Sequence, residues 1–253
     1  MGARLFKLGL NAAFVLRKYG VRVSREQELL PEDALRQKNE FIERARLIYN
    51  RHLGQTKETA AALYKKYEKP VLGKTRVWNL IELLAQCVDP SDPALFCVSQ
   101  LVHTLQVADG MERDGIRDVD LLLAGLIHDL GKILLLTGEA PENVVCNNMP
   151  IGNHEKGIGL DNCIFQWNHD QFIYSRLKDS VPDHVAWLIR YHSVYIPACE
   201  QLMDERDRNY AERYLHVFER YDKGTKSIYH LPERATDRYR ALIEDAFPEP
   251  VVF

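Results

Sequence analysis

The chain has 253 residues, of which 46% are hydrophobic and 27% charged, and its formal net charge is -3. This composition is typical of an ordinary globular protein, and so small a net charge provides no concentrated basic face for nucleic acid. No apolar run approaches the roughly 18 residues that a membrane-spanning helix needs, so we expect no membrane span.

The first residues differ in composition from the rest. Residues 1–22 carry five basic side chains and no acidic one, among several leucines and phenylalanines. This pattern predicts an amphipathic helix or extension that packs on the domain, and a targeting or membrane-surface helix is the alternative. We assign residues 1–33 to this extension and residues 34–253 to one domain.

Helical periodicity dominates the remaining chain. Apolar residues recur at helical spacing through 34–68 and 75–87, and the segment 89–93, with two prolines and two aspartates, predicts a turn. Further helices are predicted around 97–113, 118–136, 163–178, 183–193, 205–222 and 233–245. Residues 138–162 lack helical periodicity and predict a long loop over one end, in which Val144-Val145 is the best strand signal. The sequence therefore predicts an all-α fold.

The five cysteines indicate a reducing compartment. Their number is odd, they are scattered along the chain, and none belongs to a CxxC pair. Such a pattern fits free thiols and not a disulfide framework or a zinc ribbon. We therefore predict a cytoplasmic protein.

A His-Asp pair lies in the most apolar segment. His128 and Asp129 occur in LLLAGLIHDLGKILLL, and burying His, Asp and Lys there without partners costs several kcal/mol. A metal ion satisfies these groups, because neutral imidazole and carboxylate both ligate. On a helix the two side chains point about 100° apart, so Asp129 can reach a second metal, and Lys132 one turn later can face the same cavity.

Three more histidines and an aspartate lie on successive predicted helices. His103 occurs in LVHTLQVADG, His169 in IFQWNHDQFIY, His192 in VAWLIRYHSVYI, and Asp222 in FERYDKGTK. Individually, each is more often a hydrogen-bonded core residue than a ligand. Together with the His-Asp pair, they form the ligand set of a dinuclear centre inside a helical bundle.

The other histidines lie in polar or charged surroundings, where a solvated surface role is the default. They are His52, His154, His184, His216 and His230. Asp183-His184 reads as a reversed pair, but we interpret Asp183 as the N-cap of the next helix. No GxSxG, P-loop, GxGxxG or HExxH pattern provides a rival active site.

The order H…HD…H…H…D resembles the HD-domain superfamily and, more narrowly, the myo-inositol oxygenase family. The matching segments are LLAQCVDPSDP, HTLQVADG, GLIHDLGKILLLTGE, QWNHDQFIY, IRYHSVY and FERYDKGTK. In this order they are specific, whereas HDLGK alone also resembles phosphodiesterases of the HD superfamily. The resemblance implies an HD-domain helical bundle around a dinuclear metal site, with a long loop covering one end.

The resemblance also implies the cofactor and the reaction. The cofactor would be two iron ions, a mixed-valent Fe(II)/Fe(III) pair. By resemblance, one iron is bound by His103, His128, Asp129 and Asp222, and the other by His169 and His192, with Asp129 bridging. The family reaction is an O2-dependent C–C cleavage of a cyclic polyol, myo-inositol to D-glucuronate. We therefore expect a polyol and O2 as partners, no nucleic acid, and a monomer.

The resemblance extends to residues around the substrate. Lys132 is similar to the family lysine that stabilises a substrate alkoxide, and with Asp129 it forms the predicted catalytic pair. Ser193 is similar to a serine that contacts the polyol, and His192 next to it is expected to contact the polyol as well as a metal ion. The further substrate contacts implied for this chain are Asp89 and Ser91.

The chain departs from the family in part of this substrate shell. After Val144-Val145 the animal enzymes have Gly-Asp, whose Asp helps to bind substrate, and here Cys146-Asn147 stand instead. We keep Cys146 and Asn147 as candidate substrate contacts. The family's N-terminal substrate arginine has no clear counterpart.

These departures leave three alternatives open. One is an oxygenase of the same family that acts on a different hydroxylated substrate, another polyol or a hydroxyphosphonate. Another is an HD-type metal-dependent phosphohydrolase, although a phosphate site would require more Arg and Lys near the ligands. A non-catalytic helical protein would leave the buried charges of HDLGK unexplained.

Overall fold

The structure is a computed structural model that describes residues 31–228, 230, 232 and 236–253. The predicted extension lies outside these residues, except for its last three, which begin the first helix. The α-helices of the described chain are α1 (Pro31–Leu53), α2 (Lys57–Lys66), α3 (Val77–Leu83), α4 (Gln100–Arg113), α5 (Val119–Ile127), α6 (His169–Leu177), α7 (Asp183–Tyr191), α8 (Ile196–Cys199), α9 (Glu205–Tyr210), α10 (His216–Gly224) and α11 (Thr236–Ala246).

Short 3₁₀ turns and one π-helix connect these helices. The 3₁₀ segments are Leu84–Gln86, Pro93–Leu95, Leu130–Thr137, Pro141–Asn143, Leu160–Asn162 and Glu200–Leu202. The π-helix, Ala211–Leu215, joins α9 to α10 without a break. Within the described residues the only sheet is an antiparallel pair of two-residue strands, β1 (Lys74–Thr75) and β2 (Val251–Val252). The prediction of an all-α fold is therefore confirmed.

The centre of the bundle is formed by helices that the apolar segments predicted. Helix α4 packs against α5 and α10, and α7 packs against α5 and α6. Residues such as Leu105, Ile127, Phe172 and Ile189 are almost fully buried between them. No helix in the described part of the chain is long and apolar enough to cross a membrane.

The predicted helix over 118–136 is wrong in one important respect. Helix α5 ends at Ile127, a turn holds His128 and Asp129, and a 3₁₀ helix then runs over Leu130–Thr137. The apolar run continues through the break, so periodicity alone does not reveal it. Gly131 lies so close to the start of α6 that a Cβ atom there would stand 2.2 Å from the His169 carbonyl oxygen. This close approach brings α6 against the His-Asp pair.

Helix α6 begins later than predicted, at His169 and not near residue 163. The preceding residues are extended, with Phe165 bridged to Pro150 of the long loop. Asn168 then caps the helix, because its side chain accepts hydrogen bonds from the amides of Asp170 and Gln171. The cap therefore fixes His169 as the first helical residue.

The long loop lies over one end of the bundle, as predicted, but Val144 and Val145 are not a strand. Both of their amides donate to the Pro141 carbonyl after a 3₁₀ turn, and both side chains are buried. His52, predicted to be a solvated surface residue, is buried instead. Its ring nitrogens lie 2.7 Å from the Glu142 carbonyl oxygen and 3.1 Å from that of Asn147, so it ties α1 to this loop.

The start of α7 also differs from the prediction. Pro182 occupies the cap position, and Asp183 is the first helical residue, where its carboxylate accepts hydrogen bonds from Arg206 and Tyr210. His184 does not pair with Asp183. Its Nε2 lies 2.8 Å from the Asp120 carboxylate and outside the metal-binding groups described below.

We predict that Gly131→Ala destabilises the protein by at least about 1–3 kcal/mol, the typical cost of overpacking. The added Cβ meets a backbone oxygen, which cannot rotate away as a flexible side chain would. Gly224→Ala is the control, because a Cβ there meets no atom within 4 Å. Urea unfolding of both variants measures the difference, and equal stability would contradict the close packing at Gly131.

Candidate metal centre

All six residues predicted as metal ligands converge at the centre of the bundle. His103 lies on α4, His169 begins α6, His192 follows the last residue of α7, and Asp222 lies on α10. His128 and Asp129 join them from the break after α5. All six are buried, and no side chain among them is more than 11% exposed.

Asp129 lies between two groups of histidines. Its Oδ2 is 3.3 Å from His128 Nε2 and 3.6 Å from His103 Nε2. Its other oxygen, Oδ1, is 3.3 Å from His169 Nε2 and 3.8 Å from His192 Nε2. Each oxygen therefore belongs to a separate three-residue group that could hold a metal ion. A carboxylate placed in this way can bridge two ions.

Backbone carbonyls orient three of the four histidine rings. The Nδ1 atoms of His128, His169 and His192 lie 2.9, 2.8 and 3.0 Å from the carbonyl oxygens of Gly125, Val144 and Ile189, respectively. A carbonyl oxygen only accepts, so each Nδ1 carries the proton. Any further positive charge, a proton or a metal ion, must therefore enter at Nε2. Metal-bound histidines are held by the same kind of contact.

Asp222 completes the first group. Its Oδ1 lies 3.0 Å from His103 Nε2 and 3.8 Å from His128 Nε2. Burial raises the pKa of Asp222, but the Lys226 ammonium and the neighbouring histidines outweigh burial and hold the pKa well below its usual range. The carboxylate is therefore ionised and able to bind a cation.

The second group also attracts positive charge. Burial lowers the pKa of His169, but the carboxylates of Asp170 and Asp129 outweigh it and raise the pKa to about 10. For His103 burial has the larger effect and lowers the pKa, although the carboxylates of Asp222 and Asp129 act in the opposite direction.

These residues fit a pair of metal ions. In the neutral ring His128 Nε2 presents a lone pair, because its Nδ1 donates to the Gly125 carbonyl, and it lies 3.4 Å from His103 Nε2 and 3.3 Å from the Asp129 carboxylate. Such acceptors repel one another unless a cation lies between them. Mixed imidazole and carboxylate ligands suit several transition metals.

A cavity of about 610 Å³ opens onto the centre. Four residues of the metal groups line this cavity, namely Asp129, His169, His192 and Asp222. The remaining lining residues are Ile42, Ala45, Arg46, Tyr49, Asn50, Asp89, Ser91, Asp92, Pro93, Lys132, Cys146, Asn147, Ser193, Lys223 and Lys226. Every residue predicted to contact substrate therefore lines the same cavity.

Lys132 is a buried cation beside the metal groups. Its Nζ lies 2.8 Å from Asp89, 3.0 Å from Asp129 Oδ2 and 3.0 Å from Gln100 Oε1. Burial lowers the pKa of Lys132, but the charges of Asp129 and Asp89 outweigh this effect and raise the pKa well above its usual value. The ammonium therefore keeps its proton inside the cavity.

Two pairs of polar residues form parts of the wall. Asp89 Oδ1 accepts hydrogen bonds from the Ser91 amide at 2.8 Å and from the Ser91 hydroxyl at 2.7 Å. Asn147, on the long loop, donates from Nδ2 to the Ser193 carbonyl oxygen at 3.0 Å. Its Oδ1 accepts from the Tyr49 hydroxyl at 3.0 Å, so both ends of the amide already have protein partners.

Cys146 has an unusual backbone. Its φ angle is +83°, the only positive value at a non-glycine residue in the described chain. Left-handed backbone costs roughly 1–2 kcal/mol at a residue with a Cβ. The strained residue therefore lies in the wall of the cavity.

Two residues in this region were missed by the sequence analysis. Asp170 is fully buried beside His169, and the Tyr49 hydroxyl donates to Asn147 of the long loop. The signal for Asp170 was present, since His169-Asp170 repeats the His-Asp pair at 128–129. Nothing local marks Tyr49, because its partner lies 98 residues away in sequence.

Comparisons with known proteins agree with this geometry. Residues 42–156 and 146–253 match the family described as Myo-inositol oxygenase. The probable inositol oxygenase of Oryza sativa subsp. japonica is 31% identical, and the match covers 78% of this chain and 76% of the relative. Inositol oxygenase 1 of Arabidopsis thaliana is 32% identical with the same coverage, and the inositol oxygenase of Bos taurus is 29% identical over 68% of this chain and 73% of its own. This chain therefore belongs to the myo-inositol oxygenase family.

Proposed function

We propose that the protein is an inositol oxygenase, which uses O2 to cleave the ring of myo-inositol and release D-glucuronate. The observation that carries this proposal is Asp129, placed between two histidine groups at the end of a cavity that also holds Lys132. The names of the relatives from plants and animals support it.

We propose that the metal pair is iron in the mixed-valent Fe(II)/Fe(III) state. One ion would be held by His103, His128 and Asp222, the other by His169 and His192, with Asp129 shared. When bound, the pair supplies Lewis acidity toward a substrate hydroxyl and redox chemistry toward O2.

Lys132 is proposed to stabilise negative charge on a substrate oxygen. Its ammonium lies at the cavity wall, within 3.0 Å of the carboxylate that serves both metal positions. Attraction between a fixed cation and a developing alkoxide is much stronger in a buried site than in water. A polyol hydroxyl that loses its proton at this point would therefore be held by Lys132 Nζ.

The remaining polar residues are proposed to bind the other hydroxyls. Asp89 and Ser91 lie on the Lys132 side of the cavity, and Ser193 lies next to His192. A site built to hydrogen-bond hydroxyls rejects analogues that lack them, because its own buried groups then remain unpaired. Asn147 and Cys146 would border the substrate from the loop.

One observation favours a second candidate, an oxygenase acting on a hydroxylated substrate with an anionic group, such as a hydroxyphosphonate. Arg46, Lys223 and Lys226 line the cavity, which supplies more cationic side chains than the sequence had indicated. Arg46 and Lys223 are exposed cations that pair with Glu43 and Glu219, and ion pairs at exposed positions are weak. A panel of myo-inositol, other polyols and hydroxyphosphonates separates the two candidates.

We further propose that the protein is a cytoplasmic monomer. All five cysteines are free thiols in the structure, which supports a reducing compartment. Light scattering at several concentrations would test the monomer, and a mass that doubles would contradict it.

We predict that the protein, reconstituted with iron and partially reduced without air, shows an EPR signal from coupled Fe(II)/Fe(III). The Asp129 carboxylate, which lies between the two groups, would provide the bridge for this coupling. Addition of myo-inositol is expected to change the signal. A coupled signal indifferent to myo-inositol would favour the second candidate. No coupled signal, with two metal ions per chain confirmed, would contradict the oxygenase and favour a phosphohydrolase.

We predict that Lys132→Met lowers kcat by about 10²–10³-fold, the usual effect of removing one group that stabilises an oxyanion. O2 consumption and glucuronate release measure the rate, and iron content shows whether the centre persists. Lys156→Met, at an exposed position of the long loop, is the control and should retain full activity. An active Lys132→Met enzyme would exclude the proposed role.

A further inference from the structure

Asp170 is a buried carboxylate that neither the predicted ligand set nor the proposed chemistry uses. It lies in the first turn of α6, directly after His169, and its exposed fraction is 0%. Burying an ionised carboxylate costs several kcal/mol unless partners or a cation satisfy it. The contacts of its two oxygens show what it does.

One oxygen of Asp170 fixes the hydroxyl of Ser193. The Ser193 Oγ donates to Asp170 Oδ2 at 2.5 Å, and Asn168 Nδ2 donates to the same Oγ at 3.4 Å. A hydroxyl has one proton and two acceptor positions. Because the proton goes to Asp170 and Asn168 takes one lone pair, the Ser193 hydroxyl can only accept from a ligand in the cavity.

The other oxygen faces the second metal group. Asp170 Oδ1 lies 3.0 Å from His169 Nε2 and 3.6 Å from His192 Nε2. Both rings already donate from Nδ1 to backbone carbonyls. No hydrogen bond to Oδ1 occurs among the described residues, although the atom is fully buried. An ionised carboxylate at this distance from two ring Nε2 atoms requires positive charge at those atoms, and a metal ion bound there would supply it.

We propose that Asp170 is a positioning residue of the active site, which holds Ser193 as a hydrogen-bond acceptor for a substrate hydroxyl and supplies buried countercharge to the second metal position. The inference rests on the proposed function for the identity of the substrate. The proposed countercharge does not rest on that function, because it concerns only how strongly His169 and His192 retain a cation. Because the Ser193 hydroxyl is left as an acceptor, the substrate group that contacts it must be a hydrogen-bond donor, such as a hydroxyl.

The test compares Asp170→Asn with Asp207→Asn in the full-length protein. Asp207 is also a buried carboxylate, but it accepts from Trp187 and from the Leu160 amide, away from the cavity. Both variants remove one negative charge and keep the side-chain shape. The readouts are metal ions retained per chain after dialysis, the EPR signal, and KM for myo-inositol.

We expect Asp170→Asn to weaken metal affinity at the second position by about 10–100-fold, the usual effect of losing a group that supports a metal ligand. Metal content should then fall from two ions per chain toward one, with loss of the coupled EPR signal. Asp207→Asn should keep both ions. Two retained ions with an unchanged signal in Asp170→Asn would overturn the proposed countercharge.

Ser193→Ala tests the other half without touching the carboxylate. We expect it to raise KM for myo-inositol about tenfold while both metal ions remain, since a single hydrogen bond to a ligand is worth about 1 kcal/mol or more. An unchanged KM would overturn the positioning of Ser193. A wild-type protein that holds two ions but ignores myo-inositol would contradict the proposed function alone, because the comparison of metal retention still decides the role of Asp170.

Discussion

The placement of one ionised carboxylate, Asp129, between four imidazoles sets the requirements that the surrounding residues meet. Burial raises the pKa of Asp129, yet the charges of His128 and Lys132 hold it well below its usual range. In the protein alone, the carboxylates at this centre require positive charge at the ring Nε2 atoms, from protons or from metal ions. The bundle therefore stabilises a cavity that is most favourable when it contains cations, and metal binding and folding are linked.

The backbone contributes as much to this centre as the side chains do. Carbonyl groups at Gly125, Val144 and Ile189 fix three ring orientations, so the ligands are oriented before any ion arrives. The break after α5 turns Asp129 toward both groups, and Gly131 permits the approach of α6. Val144 belongs to the long loop, so the loop that lines the cavity also orients a metal ligand.

The fold class and the residues brought together at the centre could be predicted from sequence, because buried charges in an apolar segment require partners. The interruption at His128-Asp129 could not, since the apolar run continues through it and a tertiary contact at Gly131 accompanies the break. His52 was misjudged for a related reason. Its sequence neighbours are polar, but its partners lie some 90 residues away, on the long loop. A local sequence pattern reflects only nearby residues, whereas the burial of His52 and the break at His128-Asp129 involve contacts with residues distant in sequence.

The π-helix between α9 and α10 has a consequence for how this site tolerates change in length. A π turn accommodates one extra residue within a helix that otherwise continues as α. Asp222 lies about two turns beyond this segment, on the same continuous helix. Deleting a single residue of 211–215 would restore regular α-helix there and leave the direction of Asp222 nearly unchanged, whereas a deletion within the α-helical residues 216–221 would rotate Asp222 by about 100° relative to α9. The segment 211–215 is therefore the part of this helix in which one residue can be lost with the least change in the direction of the ligand, and the residues between it and Asp222 have no such freedom.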